Sequence, residues 1–420
     1  MSENLRLDPQ HATWLKRPGL QKLFDILAGD GEETRVNGGA VRNSILGEVI
    51  NDVDLSTTLV PEDVLKRLEK AKIKAIATGL SHGTVTAVID SRPYEITTLR
   101  SDLETDGRHA VVEFGRSWLD DARRRDLTMN GLYCDRDGVI FDPLDGYDDV
   151  VRRNVRFIGD AAERIKEDYL RILRFFRFFA QYGNGRPDAE GLKACGRLKK
   201  GILTLSVERV WMELKKILGV RDPSRAILWM RTTGVLTVAL PESENWGIDF
   251  VTDLIGAEQD LGWPMDVMAR LQIMLPPNND RMEALSARLK FSRAEKNRML
   301  EWVNAQLPHS EADNTALEKL LYRYGAQGVF DRIRNEIVRQ RHIARDDERA
   351  LLKADKFVKL LALASKWERP KFPVRGKDLI ESGGERGPQM GEQLKMLEQK
   401  WVESGFSLKK SELLALYSGN

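Results

Sequence analysis

At Gly146 the apolar spacing of this chain changes from about two to about 3.6, the difference between strands and helices. Before it, short β-branched runs alternate with helical stretches. Thr34-Arg35-Val36-Asn37 reads as a strand ending in Gly38-Gly39, followed by a helix over 40–46. Residues 53–57 alternate as a strand that places Asp52 and Asp54 on one face. A helix is expected over 62–71. Two strong strands, 83–89 and 94–99, are joined by a turn at Asp90-Ser91-Arg92-Pro93, and a last short strand falls at 138–141. After Gly146 only helical spacing remains, at 161–181, 207–218, 223–232, 250–261, 281–289 and most of 293–366. Breakers at Gly183-Asn184-Gly185-Arg186-Pro187, Pro241-Glu242-Ser243 and Pro276-Pro277-Asn278-Asn279-Asp280 separate these helices, and Ser206 is expected to cap the one beginning at 207. The pattern is α+β, a mixed head followed by an all-helical remainder.

With 420 residues, 42% of them hydrophobic, the chain is expected to be globular, soluble and built of two to four domains. No apolar run approaches the roughly 18 residues of a membrane span, and the first residues lack the apolar core of a signal peptide. Cys134 and Cys195 support neither a disulfide framework nor a zinc site, so a reducing cytoplasm fits. A net charge of +2 does not bear on nucleic acid, but Arg123 to Arg125, Arg152, Arg153, Arg156, Arg164, Arg171, Arg174 and Arg177 crowd one segment, where local phosphate binding and a solvated helical surface are equally expected.

Three motifs carry chemistry. Asp52-Val53-Asp54 offers two carboxylates, the hard oxygen ligands that Mg²⁺ prefers, and two such groups can bridge two ions about 3.5–4 Å apart. Alone, Asp-x-Asp is an ordinary pair of surface acids. Glu95, on the face shared with Thr97, is the candidate third acid, with a solvated strand glutamate as the equal alternative. Gly38-Gly39 joins a strand to a helix, where backbone and helix N-terminus can receive phosphate and Arg42 can add a bidentate contact. It is neither the Walker spacing nor G-x-G-x-x-G. In the 161–181 helix, Asp168, Arg171 and Arg174 recur every third residue on one face, with Leu170, Leu173, Phe176 and Phe179 supplying an apolar one. An aspartate acceptor beside an arginine donor complements the amino group and ring nitrogen of adenine and cytosine and opposes guanine and uracil. The bland alternative is an exposed Asp–Arg pair that contributes little. Between these lies Arg125-Asp126-Leu127-Thr128-Met129-Asn130, in which Asp126 or Asn130 can bond a ribose hydroxyl and Arg125 can bond phosphate or lock an acid of the Glu167-Asp168 pair, although on its own the hexapeptide reads first as a capped helix start.

Together these residues resemble the tRNA nucleotidyltransferase and poly(A) polymerase family of the polymerase β superfamily, in its class II arrangement. The likeness rests on Gly38 to Arg42, Asp52 to Thr57, Tyr94 to Arg100, Arg125 to Asn130, Glu167 to Arg174 and Ser206 to Leu214, with fainter matches at Gly376 to Ile380 and Gly387 to Gly391. It implies a nucleotidyltransferase head (1–147), a base-reading neck (148–220), a body (221–345) and a tRNA-binding tail (346–420). It implies Mg²⁺, ATP and CTP, and addition of C, C and A to the tRNA 3′ end. A poly(A) or A-only enzyme is the alternative within the family; a decayed RNA-binding scaffold or a small-molecule nucleotidyltransferase are the alternatives outside it. Residues 101–118, with Gly107 and Gly115, fall where the family has a flexible loop that switches CTP to ATP. The chain departs from the family at Asn43, commonly Asp, at Glu48-Val49, commonly a basic residue and Pro, and at Gly131, commonly Ala. No His-Asp phosphohydrolase signature is seen. The sequence sets no oligomeric state.

Overall fold

The computed structural model describes residues 5–105, 110–243, 248–383, 385 and 387–418. Two compact units divide the chain, Met1–Ala239 and Leu240–Asn420.

The first unit opens with α1 (Pro18–Leu27), whose Leu20, Leu23, Phe24 and Leu27 are buried. Then follow β1 (Thr34–Asn37), α2 (Gly39–Leu46), β2 (Leu55–Thr57), α3 (Pro61–Lys70), β3 (Lys74–Gly79), β4 (Thr84–Ile89) and β5 (Arg92–Thr98). A separate two-stranded ribbon, β6 (Arg100–Thr105) with β7 (Ala110–Phe114), precedes α4 (Trp118–Arg123), β8 (Tyr133–Cys134), β9 (Ile140–Phe141) and α5 (Tyr147–Val151). The main sheet runs β3-β4-β5-β2-β1-β8-β9. Its one parallel pair is β2 with β5, in register Leu55↔Ile96 and Ser56↔Thr97. Asp90 and Ser91, both at positive φ, form the two-residue hairpin whose twist matches that of its strands, so β5 begins two residues earlier than the sequence suggests.

Two sequence expectations need correction. The strand expected over 53–57 begins at Leu55. Gly38, at φ +57°, turns the chain out of β1, so Asp52 to Asp54 lose their neighbour on that side apart from one bond, Asn37 N–H to Asp54 O (3.0 Å). The alternation survives: Val53 is buried between an exposed Asp52 and a half-buried Asp54. The helix expected over 161–181 is two helices, α6 (Ala161–Glu167) and α7 (Leu170–Tyr182). Asp168 is extended (φ −153°, ψ 108°), and its Oδ1 accepts the free Leu170 N–H (3.0 Å), the side-chain competition by which aspartate ends one helix and begins another. On α7 the expected apolar residues, Leu170, Leu173, Phe176 and Phe179, are all buried. The ribbon occupies the segment read as a flexible loop; the centre of that segment, Gly107 included, lies outside the described residues.

The unit continues with α8 (Ala189–Leu198), α9 (Val207–Leu218), α10 (Ser224–Thr232) and α11 (Val235–Ala239), with α9 and α10 packed on α7. Ser206 precedes α9 with extended backbone, but its side chain makes no capping bond.

The second unit holds α12 (Asp249–Asp260), α13 (Val267–Ile273), α14 (Asn279–Arg288), α15 (Arg293–Asn304), α16 (Asn314–Tyr324), α17 (Ala326–Ile343), α18 (Arg349–Ala364), α19 (Gly376–Glu381), α20 (Pro388–Glu403) and α21 (Lys410–Ser418). Leu321, Val329, Ile333, Ile337 and Phe357 centre one core, and Leu379, Leu397 and Trp401 centre a second. Asp378, in the fainter of the family-like segments, accepts from Arg375 N–H and Lys410 (2.7 Å each), which makes it a helix cap.

Gly146 touches the loop that carries Asn130. A Cβ there would meet the Thr128 carbonyl oxygen at 2.4 Å, and backbone cannot swing aside as a side chain can. Gly146→Ala should cost about 1–3 kcal/mol by overpacking; an unchanged thermal midpoint would refute this contact.

Candidate active site

A cavity of about 510 Å³ opens in the first unit among the Gly38-Gly39 turn, Asp54, the 124–130 segment, α7 and the start of α9. It gathers Gly38, Gly39, Arg42, Asp54, Arg125, Asp126, Asn130, Asp168, Arg171 and Arg174 from the sequence reading. Asp52 and Glu95 are outside its lining but close enough to Asp54 to act on it electrostatically. A second cavity of about 410 Å³, at Arg156, Asp160, Asp188, Lys193 and Arg197, mixes both signs of charge and holds none of these residues.

The acids lie at one wall. Glu95 is exposed on β5, on the face opposite buried Tyr94 and Ile96. The β2–β5 register, extended by one residue, brings it beside Asp54. Burial, then repulsion from Glu95 and Asp52, pushes the Asp54 carboxyl up to about 6, and Arg125 only partly offsets this. No side chain among the described residues donates a hydrogen bond to that carboxylate. Among the described residues, too, no three His, Cys, Asp or Glu groups converge into a cage for an ion. Carboxylates that raise one another's proton affinity are relieved by a hard cation, and Mg²⁺ commonly takes one or two carboxylates with water and substrate phosphates as its other ligands. The donor set therefore fits such an ion.

The basic residues are held by dedicated partners. Arg125 donates to Asp121 Oδ2 (3.0 Å), Asn37 Oδ1 (3.2 Å) and Ser56 Oγ (3.4 Å), and lies over the Tyr133 ring. Burial opposes its charge, but Tyr133 and Asp121 outweigh it and raise its pKa. It does not lock the Glu167-Asp168 pair, as one sequence reading had it; that reach is taken by Arg164, which donates to Glu167 Oε1 and to the carbonyls of Arg124 and Arg125 (2.5 Å each). Arg125 instead stands 3.5 Å from where a Gly38 Cβ would be, beside the turn suited to phosphate. Gly38 is left-handed, and it precedes the open N-terminus of α2.

Arg42 is buried, and its donors go to Asn130 Oδ1 (2.5 Å), Asn43 Oδ1 (2.9 Å) and Tyr182 OH (2.7 Å), with Tyr182 stacked against it. Burial lowers its pKa. Asn130 donates to Asp126 Oδ1 (3.0 Å), and Asp126 Oδ2 pairs with Arg174 (2.6 Å). Burial opposes the Asp126 charge, but Arg174 and Asn130 hold its carboxyl below the usual range. Arg42, Asn130, Asp126 and Arg174 thus form one line of bonds along the cavity floor. Asn43 accepts from Arg42 and donates to Val49 O (2.7 Å), a dual role that an ionised aspartate cannot fill.

Asp168 and Arg171 do not pair. Asp168 precedes α7, and Arg209 on α9 donates to its Oδ2 (2.6 Å). Arg171 donates to Glu167 Oε2 (2.5 Å) and to the Arg164 carbonyl (2.8 Å). Acceptor and donor therefore face the cavity separately. Arg209, Arg124, Asn37 and Phe178 line it without having been singled out. Asn37 and Arg124 flank named motifs directly; Arg209 lies in the 206–214 segment, where spacing alone gave it no role.

Such a combination, a paired-acid wall, a glycine turn at a helix start and a separate polar pair beyond it, defines a nucleotidyltransferase head on a helical support. The comparisons agree. Residues 34–156 match the family described as the poly A polymerase head domain, and 186–246 match one described as a probable RNA and SrmB-binding site of polymerase A. The mitochondrial CCA tRNA nucleotidyltransferase 1 of Mus musculus is 37% identical over 401 residues, 94% of this chain and 89% of that protein. The CCA-adding enzyme of Geobacillus kaustophilus is 30% identical across 96% of this chain and 97% of its own. The crystal structure of the Bacillus stearothermophilus CCA-adding enzyme in complex with CTP superposes with a TM-score of 0.73 at 27% identity, covering 95% of this chain and 97% of that one. The chain belongs to the CCA tRNA nucleotidyltransferase family.

Asp121 is fully buried and serves Arg124, Arg125 and Tyr133 at once. Asp121→Ala should lower stability by about 3 kcal/mol, because it leaves buried cations unpaired. Urea unfolding with an unshifted midpoint would contradict this.

Proposed function

We propose that this protein transfers CMP and AMP from CTP and ATP to the 3′ end of tRNA, completing the sequence CCA. The observation that carries the reading is the single cavity that joins Asp54, the Gly38-Gly39 turn and the separated Asp168 and Arg171. The triphosphate lies along the turn, with the α2 N-terminus and Arg125 as its donors. The base lies between α7 and α9. Cytosine and adenine each present an amino donor beside a ring-nitrogen acceptor, which Asp168 and Arg171 complement; uracil and guanine present the reverse. The tRNA 3′-hydroxyl attacks the α-phosphorus, the bond to the β-phosphate oxygen breaks, and pyrophosphate leaves. Asp52 and Asp54, with Glu95 beside them, would hold Mg²⁺, which when bound would supply charge neutralisation and a lowered hydroxyl pKa. Arg42, Asp126, Asn130 and Arg174 fix the floor against which the sugar sits.

We also propose the four-part division into head, neck, body and tail, in which the body begins before the boundary between the two units at Ala239 and ends beyond it, with tRNA contacts extending to the tail. Two buried free thiols fit a reducing compartment, and we place the protein in the cytoplasm. No helix among the described residues is long and apolar enough to cross a membrane.

Incubation with tRNA lacking its last three nucleotides should give extension by three residues with CTP and ATP together. Incorporation of ATP but never CTP would overturn the reading in favour of an A-only or poly(A) activity. EDTA should stop the reaction and Mg²⁺ restore it. Asp54→Ala should reduce addition by on the order of 10³-fold, as loss of several kcal/mol of charge stabilisation requires, while gel-shift affinity for tRNA stays within about twofold. Near-normal addition by that variant would refute the metal assignment.

A further inference from the structure

Arg209 occupies an unusual place for a cation. It is in the first turn of α9, the positive end of the helix dipole, where arginine is locally unfavourable. It makes a short charge-assisted bond to Asp168 Oδ2 (2.6 Å) and lines the cavity beside it. Asp168 Oδ1 is already engaged by the Leu170 N–H (3.0 Å). The carboxylate is therefore fixed at both oxygens, one by its own chain and one by a helix that begins 39 residues further on, at Val207.

We propose that Arg209 is a specificity-determining positioning residue, which holds the Asp168 carboxylate in the plane where it accepts from the amino group of cytosine or adenine. The inference rests on the base-reading role given above to Asp168 and Arg171. Each carboxylate oxygen accepts about two hydrogen bonds, so Oδ2 can hold Arg209 and an exocyclic amine together. The single charge-assisted bond from Arg209 to Oδ2, together with the Leu170 N–H on Oδ1, fixes the carboxylate plane through its two oxygens. Without Arg209, one bond to a backbone N–H remains and the side chain is free to turn about it. Arg171 has the matching arrangement: Glu167 and the Arg164 carbonyl hold one of its terminal nitrogens and leave the rest of the fork to the cavity. The two halves of the reader are thus each oriented by a partner outside the pair, and the pair itself stays open to a base.

The test is single-nucleotide extension of tRNA by wild type, Arg209→Ala, Arg209→Lys and, as control, Arg171→Ala, with kcat/KM measured for all four nucleotides. Arg209→Ala should cut discrimination of CTP over UTP and of ATP over GTP by about tenfold, the order expected when one charge-assisted bond is lost, with tRNA affinity unchanged. Arg209→Lys should restore part of it, since an ammonium supplies the charge but on a shorter and more flexible stem. If Arg209→Ala does not fold, Arg209→Gln carries the same measurement. Equal loss for all four nucleotides together with a lower thermal midpoint would reduce Arg209 to a structural contact and overturn the proposal. Tighter CTP binding with intact selectivity would overturn it too, because Arg209 would then be a plug over Asp168. If Arg171→Ala relaxes selectivity and the Arg209 variants do not, Arg209 alone is misassigned. If neither does, the base-reading role itself falls.

Discussion

The positive φ at Gly38 decides where the rest of the site can stand. It ends β1 at Asn37 and turns the chain into α2, so the strand-like run before Leu55 keeps only the Asn37–Asp54 bond along that side. Asp54 is left at the end of β2 facing open volume instead of a neighbouring strand. The same turn leaves room for Arg125 to cross from the 124–130 segment and reach Asn37 and Ser56, one on each of the two strands. A Cβ at Gly38 would stand 3.5 Å from that guanidinium, and a side chain there would also be strained in the left-handed region. The backbone geometry of one residue thus sets the acid wall, the glycine turn and the position of the nearest guanidinium.

Between the sheet and α7 the molecule uses polar bonds where many folds use apolar packing. In the line from Arg42 through Asn130 and Asp126 to Arg174 the first three are buried and Arg174 is half-buried, and every member has a partner. Such networks contribute little net stability, since desolvation offsets most of the attraction, but breaking one link leaves a buried charge unpaired and costs several kcal/mol. They are directional, which apolar contacts are not. The consequence is that α7 is held at a set height and rotation against the glycine turn.

Much of this was legible in the sequence, because much of it is local. The strands at 34–37, 84–89 and 92–98, the helix at 207–218 and the buried face of α7 follow from spacing and propensity within a few residues. The glycine turn and the acid pair were readable for the same reason. What was misread depends on bonds that spacing does not encode. The apolar positions run on without a phase change across Asp168, so periodicity joins α6 to α7, while the break comes from a side chain capturing the Leu170 N–H. An Asp and an Arg three apart look like partners on a helix, yet their ion pairs go to Arg209, 41 residues on, and to Glu167, on the preceding helix. Nothing local shows that Arg42 also donates to Asn130 and to Tyr182, 140 residues away, which stacks on it.

The carboxylates of the chain sort by how completely they are satisfied. Asp331, on α17 and fully buried, receives Arg298 through two nitrogens (2.9 and 3.0 Å), Gln272 (2.9 Å) and Gln327 (3.0 Å). Asp121 is served by two arginines and a tyrosine. These acids have no capacity left for a ligand, and their task ends with holding the fold together. Asp54 is the opposite: half-buried, flanked by two other acids, with no donor among the described side chains and a carboxyl pushed up to about 6. A buried or half-buried charge without a partner is unfavourable on any account of protein electrostatics, and the donors that would relieve it are absent from the surrounding side chains. The hard cation proposed above would relieve that repulsion. Asp168 falls between these extremes, anchored at both oxygens by Leu170 N–H and Arg209 while still lining the cavity.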